Sequence, residues 1–304
     1  MTPDLRAPPD DRLPEELLPF GVVNLDKPPG PSSHQVSGWL RDAVDETLDD
    51  RGVDATIDRA AHAGTLDPKV TGCLPVMFGE ATRLAQVFLE GPKEYVAVLE
   101  CHSSVPADAE SIVAAFEGPI YQKPPRKSAV SRRLRVREMY DLEVLEAADR
   151  RLLLRIRCES GTYVRKLCHD LGLALGTGGH MGDLRRTGTS PFDDSSLHSV
   201  QEFLDALAFW VEDDDPEPLY EVVEPAERIL EEIPGVVIAE NAAHEVAEGA
   251  PVYAPGVLTV DDDASRGDLV ACYTPDGSAV ALGELVGSVD AESGVVVDLE
   301  RVLV

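Results

Sequence analysis

Residues 212–227 read EDDDPEPLYEVVEPAE. Pro216, Pro218 and Pro225 interrupt any long helix or central strand, and the surrounding carboxylates repel one another, so the stretch reads as a connector between two folding units. A chain of 304 residues is long enough for two domains with a sizeable core. Before the connector, from Gly21 to about Val211, strand-like and helix-like segments alternate without the regular cadence of a doubly wound sheet, which implies an α+β layout. After Ile233, short apolar runs separated by Gly, Pro and Asp turns imply a small, mostly β domain. Residues 1–19, MTPDLRAPPDDRLPEELLP, are rich in Pro and charge and predict a mobile or loosely docked arm. The expected organisation is an arm at 1–19, an α+β domain at 20–211, an acidic linker at 212–234 and a β domain at 235–304.

Within the larger unit, Val36, Trp39, Leu40, Ala43, Val44 and Leu48 recur at helical spacing behind Ser32 and Ser33, either of which can cap a helix. KEYVAVLEC (93–101) predicts a strand buried on both faces. RLLLRIRC (151–158) alternates, placing Leu152, Leu154, Ile156 and Cys158 on one side and Arg155 and Arg157 on the other. SGTYVRKLCHDLGLALG (160–176) predicts a turn and then a helix with Val164, Leu167, Cys168 and Leu171 inward. The following GTGGHMG (176–182) comes after a helix rather than a strand, so it is no dinucleotide turn and reads as a flexible loop.

Five cysteines without C-x-x-C spacing indicate neither a disulfide framework nor a zinc site. No run approaches the roughly 18 apolar residues of a membrane span, and no charged-then-apolar leader opens the chain, so the expectation is a cytoplasmic protein. The net charge of −29 argues against a nucleic-acid partner until its distribution is considered. Residues 121–186 carry 15 Lys+Arg against 8 Asp+Glu, a local +7, and the remainder carries −36. With 21 Arg and only 6 Lys beside so much acid, the composition resembles that of proteins adapted to molar salt and points to a halophilic source.

One carboxylate stands out in HAGTLDPKVTGCL (62–74). Pro68 disfavours an α conformation at Asp67, and Gly64 and Gly72 permit unusual dihedrals, which predicts a tight loop beside apolar walls. Taken alone, such an aspartate is more often an Asx-turn residue than a catalyst. A glycosidase would need a second carboxylate and a phosphoryl-transfer site a G-x-x-x-x-G-K-[ST] loop; neither pattern is present.

HAGTLDPKVTGCLPV (62–76) resembles the TruB/dyskerin family of RNA pseudouridine synthases when read together with NLDKPPG (24–30), KEYVA (93–97), PIYQKPPRKSAVSRRLRVREMYDLEV (119–144), CESGTYVRKLCHDLG (158–172) and HMGDLRRTGTSPF (180–192). EGAPVYAPGVLTVDDDASRGDLVACYTPDGSAVALGEL (248–285) is similar to a PUA RNA-binding domain. K-V-T-G-C-L-P-V and S-R-R-L-R-V-R place the chain nearer the archaeal and eukaryotic box H/ACA branch than the bacterial stand-alone branch. The resemblance implies a pseudouridine-synthase fold, a mixed and largely antiparallel sheet with flanking helices, joined to a small PUA domain. It implies isomerisation of uridines in tRNA at the T-loop, or in rRNA under an H/ACA guide RNA, with small accessory proteins, no cofactor and no membrane.

The resemblance also assigns roles. Asp67 matches the essential aspartate that initiates glycosidic cleavage, by addition to the base or by action at the sugar. Tyr95 matches the aromatic that stacks on the extruded uracil and helps remove the carbon-5 proton, and Arg165 the guanidinium that pairs with the aspartate. Lys27, His62, Gly64, Thr65 and Lys166 form the implied substrate-binding set, with Arg132 and Arg133 standing in where Ser131 replaces the family's frequent Lys. Chemistry agrees with these roles: a flipped base needs an aromatic platform, and a desolvated carboxylate needs a permanent cation to stay ionised. Cys168 and His169 are adjacent on a helix, do not face each other, and read as structural. A catalytically silent RNA-binding scaffold is the alternative, since it also explains the basic tract and the PUA-like segment.

Overall fold

The structure, a computed structural model, describes residues 5–89, 91–124, 131–288 and 291–304. Ten strands form the first sheet: β1 (Gly21–Lys27), β2 (Ala60–His62), β3 (Thr71–Phe78), β4 (Lys93–Cys101), β5 (Gly118–Gln122), β6 (Arg135–Ala148), β7 (Arg151–Cys158), β8 (Gly179–Thr189), β9 (Phe192–Asp193) and β10 (Glu224–Pro225). Their order is β10-β1-β3-β8-β4-β7-β6-β5, with β2 paired to β3 and β9 to β8. Among the described residues, only the β3–β8 strand pair within it is parallel, Thr71 facing Arg185 and Gly72 facing Arg186; the other strand pairs are antiparallel. Helices α1 (Pro14–Leu17), α2 (Ser33–Asp50), α3 (Ala109–Ala114), α4 (Val164–Ala174), α5 (Val200–Asp213) and α6 (Glu217–Val222) flank the sheet, giving the mixed α+β fold.

Local sequence explains the main elements. Ser32 caps α2 in a reciprocal capping box with Gln35, and Val36, Leu40, Val44 and Leu48 form its buried stripe, while Trp39 at 52% exposure lies outside that stripe. β7 alternates as expected, its apolar residues buried and Arg155 and Arg157 exposed. β4 departs from the expectation of burial on both faces. Lys93, Ala97, Leu99 and Cys101 are buried, but Glu94 is exposed and Tyr95, Val96 and Val98 are only half-buried. Alternation puts Lys93, Ala97, Leu99 and Cys101 on the covered face of the strand, and Glu94, Val96 and Val98 on the more open one.

The second sheet contains β11 (Gly235–Ile238), β12 (Val252–Tyr253), β13 (Val257–Val260), β14 (Leu269–Tyr273), β15 (Ala279–Leu285) and β16 (Val295–Val302), in the order β12-β16-β15-β14-β11-β13, with α7 (Glu240–Ala247) against it. Three features differ from the sequence reading. The arm is docked: Arg12 donates two hydrogen bonds to Glu227, at 2.8 and 2.7 Å, and the Ser278 hydroxyl donates to the Ala7 carbonyl at 2.8 Å. The acidic linker is woven into the fold, since β10 pairs with β1 and Val222, Val223, Ile229 and Leu230 are buried. Most of its carboxylates face water, while Leu219, Val222, Val223, Ala226, Ile229 and Leu230 between them are buried, a pattern that the acidity masks. The GTGGHMG stretch is a tight junction rather than a loop: Gly178 N–H bonds the Gly172 carbonyl at 2.8 Å and β8 begins at Gly179.

The two sheets share a core in which Phe20, Val22, Met77 and Phe192 meet Ala271, Ala279, Leu282 and Leu303. Among the described residues, no helix is long and apolar enough to cross a membrane.

Candidate active site

Asp67 sits on the connection between β2 and β3. Leu66 and Val70 are driven into the core at 4% and 3% exposure, which turns the intervening Asp67, Pro68 and Lys69 outward. Backbone bonds then hold the loop from several sides. Ser33 accepts from Leu66 N–H at 2.8 Å and donates to its carbonyl at 3.1 Å. Gly30 N–H donates to the Pro68 carbonyl at 2.8 Å, and Val70 N–H to the Asp67 carbonyl at 2.9 Å. Gly72 has φ +96°, and a Cβ there would lie 2.2 Å from the Arg186 carbonyl, so only glycine admits the parallel approach of β8.

Arg165, at the start of α4, forms an ion pair with Asp67. The two side chains remain 56% and 54% exposed, so the carboxylate lies at an open surface instead of within the expected apolar walls. Its anchors are buried and its oxygens are not, an arrangement that keeps the backbone rigid while leaving the carboxylate free to meet a large substrate. Tyr95 lies on β4 between Arg186 of β8 and Ile156 of β7. Burial holds its phenol above the ordinary value, and the Arg186 charge opposes that.

The substrate-binding set divides. Lys27 is fully buried and points inward, its ammonium donating to the carbonyls of Pro28 at 2.9 Å, Pro68 at 3.3 Å and Val70 at 2.9 Å. It pins the Asp67 loop to β1 and offers no surface to RNA, which corrects its assignment as a substrate contact. His62 ends β2 half-buried, with Nδ1 enclosed and unpartnered; burial, and then the Arg186 charge, lower its pKa. Gly64 and Thr65 lie on the loop itself, Thr65 exposed. Lys166 pairs with Asp170 one turn along α4. Arg132 and Arg133 are exposed ahead of β6, Arg132 donating to the Pro124 carbonyl at 3.0 Å, and among the described residues no bond ties either to the Asp67 loop. Residues 125–130, which include the S-A-V stretch before Ser131, lie outside the described residues.

Two positions were missed in the sequence. Ser33 was weighed only as a cap, yet its hydroxyl serves Leu66. Arg186 stood inside a quoted motif without a role, although in β8 it shares strand parity with Leu184 and therefore points inward. No group of three His, Cys, Asp or Glu among the described residues is placed to hold a metal ion.

Residues 53–164 match the N-terminal domain of TruB family pseudouridylate synthases and 165–231 the C-terminal domain of tRNA pseudouridylate synthase B. Residues 234–303 match the PUA domain and 6–37 the DKCLD (NUC011) domain. The probable tRNA pseudouridine synthase B of Haloarcula marismortui is 59% identical over 307 residues, covering 99% of this chain and 94% of that protein. The corresponding protein of Halobacterium salinarum is 58% identical, covering 99% of each. Among solved structures, a Cbf5-Nop10-Gar1 complex aligns with TM-score 0.88 and 42% identity over 99% of this chain and 90% of that one. An H/ACA RNP bound to a substrate RNA containing 2'-deoxyuridine aligns with TM-score 0.88 and 40% identity, over 100% and 91%. With full-length similarity of this kind and an aspartate–arginine pair on a braced loop, the chain belongs to the TruB family of pseudouridine synthases, on its archaeal Cbf5-like side.

Proposed function

We propose that this chain isomerises uridine to pseudouridine in the T-loop of tRNA and, as the catalytic subunit of a box H/ACA guide-RNA particle, in rRNA. The observation that carries the reading is the Asp67–Arg165 pair, held on a loop whose backbone is bonded from three sides while its carboxylate stays accessible. The Arg165 guanidinium compensates the Asp67 carboxylate when RNA excludes water. Asp67 then acts as nucleophile, at base or sugar, and the N1–C1' bond breaks. Uracil rotates and rejoins C1' through C5, held against Tyr95, the bond to Asp67 breaks and returns the free carboxylate, and the C5 proton departs while N1 gains one. The balance requires no cofactor.

The PUA-like unit and small accessory proteins of the Nop10 and Gar1 kind, the partners in similar solved complexes, would position a guide. A guide delegates sequence reading to base pairing, which suits a chain whose net charge of −29 offers RNA little general attraction. The test compares wild type with Asp67→Asn on a tRNA transcript and on an rRNA fragment, with and without guide and accessory proteins. Wild type should modify the tRNA slowly alone and the fragment only with guide, and Asp67→Asn should modify neither while binding RNA with near wild-type affinity. Undiminished single-turnover rates in folded Asp67→Asn would remove the nucleophile assignment. Modification of the fragment without guide would remove the guided reading.

A further inference from the structure

Arg186 is a guanidinium buried to 2% exposure with no carboxylate partner among the described residues. Its Nε donates to the Cys73 carbonyl at 2.7 Å and its Nη1 to the Gly64 carbonyl at 3.3 Å. Gly64 and Cys73 bracket the loop that carries Asp67, so one planar group bonds both of its stems from beneath. The third nitrogen, Nη2, is enclosed and unpartnered. Two further enclosed orphans, His62 Nδ1 and Thr189 Oγ1, belong to the same neighbourhood: His62 feels the Arg186 charge, and Thr189 faces Lys93 two residues from Tyr95. Lys93 adds a second buried cation, its ammonium donating to the carbonyls of Phe88 at 2.8 Å and Gly91 at 2.9 Å. Beneath Tyr95 there is thus an excess of donors and positive charge. Leaving a buried donor unpaired costs about 1–3 kcal/mol, and such a cost persists where an acceptor appears during function.

The acceptor on hand is the phenol. Tyr95 and Arg186 are register partners across β4 and β8, and the other titratable groups near the phenol are Cys158 from β7 and Cys73 from β3, both protonated because burial raises their thiols to about 11 and about 12. Neither thiol competes as an anion. We infer that Arg186 is a positioning residue for the isomerisation: it fixes both stems of the Asp67 loop and, through Nη2, holds the Tyr95 oxygen as a phenolate when the C5 proton is removed.

This inference rests on the proposed isomerisation. In the step concerned, Tyr95 first releases its proton to solvent and Arg186 compensates the phenolate. After uracil has rejoined C1' through C5, the phenolate takes the C5 proton and the C–H electron pair restores the C5–C6 double bond. N1 acquires a proton from solvent, so hydrogen moves from C5 to N1 overall and nothing is oxidised.

The test uses the full chain in molar KCl, on whichever RNA wild type turns over, with the target uridine carrying hydrogen or deuterium at C5. Turnover by wild type establishes the parent reading independently. Arg186→Gln is expected to lower the single-turnover rate by about 10²-fold, the usual range for losing general-base assistance, with RNA affinity near wild type and a C5 deuterium isotope effect larger than that of wild type. Arg186→Lys, which keeps the charge without the fork, should recover part of the rate and show a smaller isotope effect. Tyr95→Phe combined with Arg186→Gln should be no slower than the slower single variant. A folded Arg186→Gln protein that keeps the wild-type rate, is slow without an increased isotope effect, or loses RNA binding in proportion to its rate would overturn the inference. If that variant does not fold, a wild-type rate and isotope effect in Arg186→Lys would do the same.

Discussion

Lys27 shows how a residue can brace a candidate site from inside the protein. The resemblance implies a substrate contact, yet its ammonium bonds three backbone carbonyls, two of them just beyond Asp67. Lys27→Met should therefore lower unfolding stability by on the order of 2–3 kcal/mol and abolish turnover with RNA affinity almost unchanged. Thermal unfolding in molar KCl and a binding titration check this, and weakened binding at unchanged stability would return Lys27 to the RNA surface. Lys93 yields a pH prediction. Burial lowers its pKa from 10.5 to about 8, so above pH 8 the native state loses the proton that the unfolded state keeps. The unfolded state binds more protons between pH 8 and about 10.5, and the Lys93 contribution to stability rises across that window. Cysteines with raised pKa act in the opposite sense, so the measurement is the difference between wild type and Lys93→Met. That difference should shift in favour of wild type as pH rises, by about 3 kcal/mol at most; a flat difference would contradict it.

At the scale of elements, the basic tract divides into paired and unpaired cations. Arg151, Arg155 and Arg157 on β7 look like a row of phosphate ligands, but they meet Glu100, Glu143 and Glu94 on the neighbouring strands. Arg132, Arg133 and Arg135, at the entry to β6, have no ion-pair partner among the described residues. Contact with phosphate should come mainly from the second group. Substituting both Arg132 and Arg133 with Ala should reduce the slope of log affinity against log salt by about 2, and the Arg155/Arg157 pair of substitutions should change it less. Equal changes from both pairs would show that the cross-strand carboxylates release their arginines to RNA.

The whole molecule balances a surface of strong negative charge against two units joined by a common core. The Arg12–Glu227 pair at the junction is nearly enclosed, with Glu227 also accepting from Ala279 N–H at 3.0 Å, so the terminal segment, the former linker and β15 are tied at one point. The exterior has the opposite character. Lowering KCl from molar to about 0.1 M lengthens screening from about 3 to 10 Å and exposes the repulsion of a −29 chain. The unfolding midpoint should fall through that titration, as suits a chain 58–59% identical to proteins of Haloarcula and Halobacterium. A constant or rising midpoint would exclude adaptation to salt.

Strand parity, helical spacing and caps are local properties, and from them the sequence alone determined the α+β and β units, the buried stripe of α2 and the inward face of α4. The family resemblance likewise implied a site of Asp67, Tyr95 and Arg165, and the structure pairs Asp67 with Arg165. Tertiary structure decided which basic side chains reach the surface, since only their surroundings show that Lys27 and Arg186 are buried and bonded to backbone carbonyls. It also decided that 5–20 and 212–234 are packed: an acidic, proline-broken segment reads as linker until its few apolar residues find partners far away in the chain, such as β1 for β10. Burial is a relation between distant residues, and composition records only one side of it.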